Sequence, residues 1–243
     1  MIVKLLIFIE SYFAVGIIAM YIGSRTAGKE ARKQRWIKLI TYFLIVHSLL
    51  FITLQGKIYF YFLAGLILTS GFIELIYTFS KHSNDSIAPY QRSIIICCYI
   101  FFVTGTVFFS LGVDVYTIIY VYMITGVFDG FSQLTGQIFG KNALAKVISP
   151  NKTIEGSIGG LVVAIYSGYL LRGFTGFNLA EAVLFAIVIS FGALIGDLAA
   201  SYVKRIHELK DFNNVIPGHG GILDRFDSFI GAAALYQLFL LFS

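Results

Sequence analysis

Long apolar runs recur along the whole chain, and they decide most of what it can become. They fall at residues 2–23, 37–55, 58–79, 93–112, 115–131, 157–171, 179–201 and 229–242. A helical run of about 20 apolar residues spans the ~30 Å hydrocarbon core of a bilayer. Lipid offers the backbone no hydrogen-bond partner, so a segment that enters it must satisfy its own amides, as a helix does. The runs are unbroken rather than alternating, which argues against a membrane β-barrel. Composition agrees: 58% of the residues are hydrophobic and 13% are charged. The expectation is an all-α, polytopic membrane helix bundle of about eight transmembrane helices. The first run, MIVKLLIFIESYFAVGIIAMYIG, holds one lysine and no small-x-small cleavage site, so it reads as an uncleaved span.

Basic residues orient such a bundle, because Lys and Arg are retained on the cytoplasmic side. The polar stretch SRTAGKEARKQRWIK carries Arg25, Lys29, Arg32, Lys33, Arg35 and Lys38, and reads as a cytoplasmic loop. Counting spans onward puts Lys81, Arg92, Lys141, Lys146, Lys152, Lys204, Arg205, Lys210 and Arg225 on the same side. Lys4, Lys57 and Arg172 fall on the other, and both termini lie outside the cytoplasm. The net charge of +5 is then explained by orientation and anionic headgroups, and no nucleic-acid partner is needed. Cys97 and Cys98 are adjacent in an apolar run and read as small fillers, not as a disulfide framework or a metal site. No low-complexity segment or solenoid repeat is evident.

Chemistry-bearing residues divide the chain into an N-terminal transmembrane region, 1–125, and a C-terminal region with polar motif loops, 126–243. In the first, Glu10, Glu74 and His47 lie within expected spans. Intramembrane ionisable groups are functional candidates, and hydrogen-bonded or interfacial groups are the alternative. In the second, polar residues gather in four segments that the orientation places on one side. Asp129 lies near the cytoplasmic end of the fifth span. Ser149, Lys152 and Thr153 offer two hydroxyls and a cation, for a phosphate or simply for a polar loop. Asp197, Ser201 and Lys204 are spaced i, i+4, i+7 and share one helical face, with Arg205 beside it. Such a face suits a phosphate and its metal, or else the cations snorkel to the headgroups.

The fourth segment, KDFNNVIPGHGGILDRFDSF, is the densest. Pro217 and Gly218 make a turn, and Gly220 and Gly221 allow close backbone approach to an anion. Asp224 and Asp227 share a helical face with Arg225 between them, and Asp211 is near. Carboxylates in this number suit a hard cation such as Mg²⁺, or cap the last span. His219 is a general acid–base candidate or a turn-holding hydrogen-bond donor. No HExxH, CxxC pair or GxxxxGK[ST] is present, so zinc hydrolysis and a P-loop have no support. Gly126/Gly130, Gly136/Gly140, Gly156/Gly160 and Gly192/Gly196 have the spacing of close helix packing.

The stretch SYVKRIHELKDFNNVIPGHGGILDRFDS resembles the signature of the phosphatidate cytidylyltransferases, or CDP-diacylglycerol synthases. Ser201, Lys204, Arg205, Lys210, Asp211, Pro217, His219, Gly220, Gly221, Asp224, Arg225 and Asp227 meet it. Ser149, Pro150, Lys152, Thr153, Glu155 and Gly156 are similar to the family's second motif. The likeness covers roughly residues 126–231. It departs after Asp129, where Ser132 and Gln133 stand for an Ala-Tyr pair and Gln137 for the basic residue that follows the glycine, here Gly136, and at Asn213, where a small residue is usual.

The resemblance implies that phosphatidate attacks the α-phosphorus of CTP at the cytoplasmic face of the inner membrane, releasing pyrophosphate. It implies Mg²⁺, with K⁺ as a candidate second cation, and a homodimer. Asp211, Asp224 and Asp227 are the expected metal ligands, with Asp197 or Asp129 completing the set. Lys210 and His219 join them in catalysis. Ser201, Lys204, Arg205, Arg225, Lys152, Thr153, Gly220 and Gly221 would hold nucleotide and phosphate. The alternatives are a CTP-dependent lipid-alcohol kinase and a non-catalytic membrane homologue.

Overall fold

A computed structural model describes residues 2–23, 28–81, 89–216 and 220–243. Among these described residues eight helices follow in order: α1 (Ile2–Gly23), α2 (Lys29–Leu54), α3 (Lys57–Lys81), α4 (Pro89–Gly112), α5 (Val115–Phe139), α6 (Ile154–Thr175), α7 (Leu179–Ile206) and α8 (Leu223–Phe242). All eight are long and apolar enough to cross a membrane. The strands β1 (Ala143–Ala145) and β2 (Ser149–Thr153) form an antiparallel hairpin between α5 and α6. The helical expectation holds.

Several expected boundaries move, for one reason. Hydropathy trims a helix where polar residues enter its end turns, yet those turns remain helical. Lys29 to Lys38, expected in a loop, form the first turns of α2. The expected polar loop at Ser149–Thr153 is a strand. Helix α6 starts at Ile154 because the Thr153 hydroxyl accepts the Gly156 N–H and caps it. Helix α7 begins in a capping box made by Asn178 and Glu181. It closes with Leu209 N–H bonded to Lys204 C=O and Glu208 N–H to Arg205 C=O, the paired pattern of a Schellman motif. Glu208 occupies the left-handed position there at φ 57°, a conformation that costs a non-glycine residue about 1 kcal/mol or more.

The C-terminal four helices carry most of the core, joined by residues such as Leu49, Phe60 and Phe109 of the N-terminal helices. Ile118 to Ile124 of α5 are buried on every side, and α5 packs on α6, α7 and α8. Small residues let these helices touch. A side chain at Gly192 would meet the Ala232 backbone at 2.7 Å, and one at Gly196 would strike the Asp227 carbonyl. Gly156 and Gly160 approach Ser132 and Phe128 of α5 in the same way. The Gly126/Gly130 pair differs: Gly126 makes room for the Tyr42 hydroxyl, and among the described residues none lies within 4 Å of a side chain built at Gly130. The close α7–α8 contact places Asp197, the residue after Gly196, beside Asp227.

Candidate active site

The site is assembled where the C-terminal part of α5, the hairpin, the end of α7 and the start of α8 meet. Helix α8 needs its first N–H groups satisfied, since they lack partners within the helix. No side chain of its own N-cap, Ile222, does so. Glu74 of α3 does: Oε1 accepts the Ile222 N–H at 2.9 Å and Oε2 the Leu223 N–H at 2.8 Å. A carboxylate at a helix N-terminus also meets the positive end of the helix dipole. Glu74 is buried, and a side chain at Gly221 would run into its carboxylate at 2.6 Å. The intramembrane Glu74 therefore anchors the helix that carries Asp224 and Asp227.

Asp224 ties the preceding loop to α7. Its Oδ1 accepts from Lys204 Nζ at 2.7 Å, with side-chain exposures of 1% and 10%. Its Oδ2 accepts the N–H groups of Phe212 and Gly221 at 2.8 and 2.9 Å. Asp224 is thus engaged on both oxygens. Asp211 lies next to it across Gly220, which sits at φ +82°, where glycine is favoured and a side chain would meet both carboxylates. Lys204 also stands over the Phe212 ring, 5.3 Å from its centroid.

A second carboxylate group faces the first. Asp197 pairs with Lys152 of β2 and accepts from Ser201 Oγ at 3.1 Å. Asp227 is buried within electrostatic reach of Asp197, Asp129 and Lys204, and one oxygen accepts its neighbour's Ser228 N–H at 2.7 Å. Asp129 accepts from the Ser228 hydroxyl and lies within electrostatic reach of Asp197, Lys152 and Arg225. Three carboxylates and three cations, drawn from four segments, thus share one end of the bundle.

The structure divides the expected roles. Asp129, Asp197 and Asp227 come together with Lys152, Lys204, Ser201 and Arg225. Asp211 and Asp224 form a neighbouring pair beside Gly220 and Gly221. The Thr153 hydroxyl serves as the α6 cap. Arg205 braces the hairpin, donating from Nε to Ile148 C=O at 3.2 Å and from Nη1 to Leu209 C=O at 2.9 Å. Lys210 is exposed on the loop. His219, with Pro217 and Gly218, lies outside the described residues. Among the described residues no group of three His, Cys, Asp or Glu side chains is close enough to hold a metal ion by itself. The donor chemistry still fits a hard divalent cation that takes one or two carboxylates and draws further ligands from water and substrate phosphates.

Two contributors stand out in the sequence, but their partners do not. Glu74 carries a signal, a carboxylate in lipid, without a visible partner. Glu155 accepts the Lys141 and Asn142 N–H groups, each at 3.1 Å, and the Asn142 side-chain amide at 2.7 Å, so it fixes the α5–β1 turn. Glu10 and His47, the remaining ionisable pair of the N-terminal spans, bond to each other at 3.0 Å.

The sequence profile described as the cytidylyltransferase family matches residues 1–243. The chain belongs to that family. Among its relatives, the phosphatidate cytidylyltransferase of Staphylococcus haemolyticus is 40% identical over 126 residues, 51% of this chain and 48% of that protein. The protein of the same name from Staphylococcus aureus strain COL is 34% identical over 179 residues, 72% of this chain and 68% of that protein. The match thus spans about half the length of the first relative and two thirds of the second.

Proposed function

We propose that this chain is a membrane nucleotidyltransferase that makes CDP-diacylglycerol and pyrophosphate from CTP and phosphatidate. A phosphate oxygen of the lipid forms a bond to the α-phosphorus of CTP, and the bond from that phosphorus to the bridging oxygen of the β-phosphate breaks. Two polyanions must meet for this to happen, so their repulsion is the main obstacle. The observation that carries the reading is the gathering of Lys152, Lys204 and Arg225 around Asp129, Asp197 and Asp227 at one end of the helices. The cations hold phosphates in position, and fixed charge stabilises the negative charge that develops on the leaving pyrophosphate. The names of the relatives support the choice of acceptor.

Asp197 and Asp227 would hold Mg²⁺, with Asp129 beside them. Bound there, the ion would neutralise phosphate charge and orient the triphosphate. Lys152 and Lys204 already offset these carboxylates, so nucleotide binding exchanges some protein ion pairs for contacts to phosphate. K⁺ as a second cation, the cytoplasmic face and a homodimer belong to the same reading. The concentration of basic residues at the site end supports the cytoplasmic face.

The test is turnover of CTP with phosphatidate in mixed micelles, using CTP labelled at the α- or the γ-phosphorus. Label should enter lipid from the α position only, and chelating divalent cations should abolish it. Entry from the γ position onto a lipid alcohol would establish the kinase alternative. No turnover with either acceptor would favour a non-catalytic homologue.

A further inference from the structure

A cleft of about 270 Å³ lies between α2 and α3. Along α2 it runs from Thr41 to Ile52, with Leu63 of α3 and Phe226 of α8 also lining it. Leu44 and Ser48, one helical turn apart, are exposed and form its rim, whereas Leu49 and Phe226 are buried within it. Apart from the hydroxyls of Thr41 and Ser48, the lining is hydrocarbon.

Three features identify an occupant. The cleft lies near the charged site, because Phe226, which lines it, is flanked on α8 by Arg225 and Asp227. Its Thr41 end adjoins Tyr42, whose hydroxyl packs against Gly126 and which lies within electrostatic reach of Asp129 and Arg225. Its length along α2 is roughly 16 Å at 1.5 Å per residue, about half of a ~30 Å hydrocarbon core and so close to one leaflet. An apolar slot one leaflet long, starting beside phosphate-binding cations, matches a molecule with an anionic head and an alkyl tail. We propose that the α2–α3 cleft holds one acyl chain of the lipid phosphate substrate, and that Leu63 and Ser48 help set its chain-length preference. This rests on the reaction proposed above in taking a lipid phosphate as acceptor. The seated chain fixes the depth at which the lipid phosphate meets the charged cluster.

Two measurements test it. In the first, Leu63→Trp fills the cleft. The kcat/KM for dipalmitoyl phosphatidate should fall roughly tenfold relative to that for dihexanoyl phosphatidate, the effect expected of a few lost apolar contacts. The KM for CTP should stay as in the wild type, and Leu63→Ala should leave or widen the long-chain preference. Equal losses for the two lipids, or none, would overturn the assignment.

In the second, Ser48→Trp is placed in a Trp36→Phe background, which removes the chain's single tryptophan. Phosphatidate brominated on one chain should quench its fluorescence at least about threefold more effectively than equally brominated phosphatidylcholine at the same mole fraction. Equal quenching would mean that the cleft is filled by bulk lipid only. Quenching does not depend on turnover. Selective quenching without product would therefore sink the reaction and keep the cleft, and product with equal quenching would do the reverse.

Discussion

Helices α4 and α5 are neighbours in sequence and opposites in the bundle. Helix α4 is the more apolar, yet only 17% of its most apolar window is buried, against 61% for α5. In water the greasier helix goes inside. In lipid the solvent is itself hydrocarbon, so apolar surface gains little by leaving it, and polar side chains gain most by finding protein partners. Helices α1 and α2 follow the α4 pattern and α8 follows α5. The buried helices are those that carry Asp129, Asp224 and Asp227. Helices α1, α2 and α4 thus read as a lipid-facing wall, and α5 and α8 as a polar interior built on close helix contacts.

That contrast is sharpest at Asp227, where the largest effect is expected. Asp227→Asn keeps the shape and removes one charge from a crowded carboxylate group. The folded state should survive with an unchanged melting temperature in detergent. Cytidylyl transfer should fall by at least about 10²-fold, the scale of losing one preorganised electrostatic contact. Asp197→Asn should behave alike, with Lys152 released. Full activity in both would move the chemistry away from the polar interior.

Next comes the pair that fastens the loop before α8. Lys204→Met leaves the Asp224 charge buried beside two backbone N–H donors and no cation. Breaking a buried pair on one side costs about 3–5 kcal/mol. Thermal unfolding in micelles should shift strongly down. The double variant Lys204→Met/Asp224→Asn, which removes the orphaned charge, should recover much of the stability and none of the activity. A small shift for the single variant would show that this end of the bundle is wet enough to solvate a lone carboxylate.

Much of the fold is legible in the sequence, and what is not has physical causes. Eight helices follow from hydropathy because lipid enforces them. The motif residues stand out because carboxylates and glycines are conspicuous in an apolar chain. Their partners do not, since partner choice depends on packing between distant segments. Asp224 has the residue type of a ligand, but its oxygens face Lys204, Phe212 and Gly221. Thr153 has the hydroxyl of a phosphate contact, and the same chemistry also caps helices. Arg205 has the charge of a phosphate cation, and its fork also suits two carbonyls. Spacing along one helix, as for Asp197 and Ser201, is reliable because it needs no tertiary knowledge.

Glu74 is where the division between wall and interior breaks down, and it supplies the smallest and most informative effect. It belongs to α3, in the N-terminal region, yet its two oxygens hold the first N–H groups of α8 across 148 and 149 residues of chain. Glu74→Gln keeps one acceptor oxygen and loses the charge. The cost should be about 1–2 kcal/mol, as for losing a helix cap, and should appear as a modest drop in melting temperature. If Glu74 only adds stability, kcat at a temperature well below melting should stay at the wild-type value. If it positions α8, kcat should fall several-fold, and Glu74→Asp should restore it poorly, because a shorter side chain reaches neither N–H at a bonding distance. The second outcome is expected, since Asp224 lies within the first turn that Glu74 secures and Asp227 one turn further on. The apolar half of the chain would then act on the chemistry through a single carboxylate.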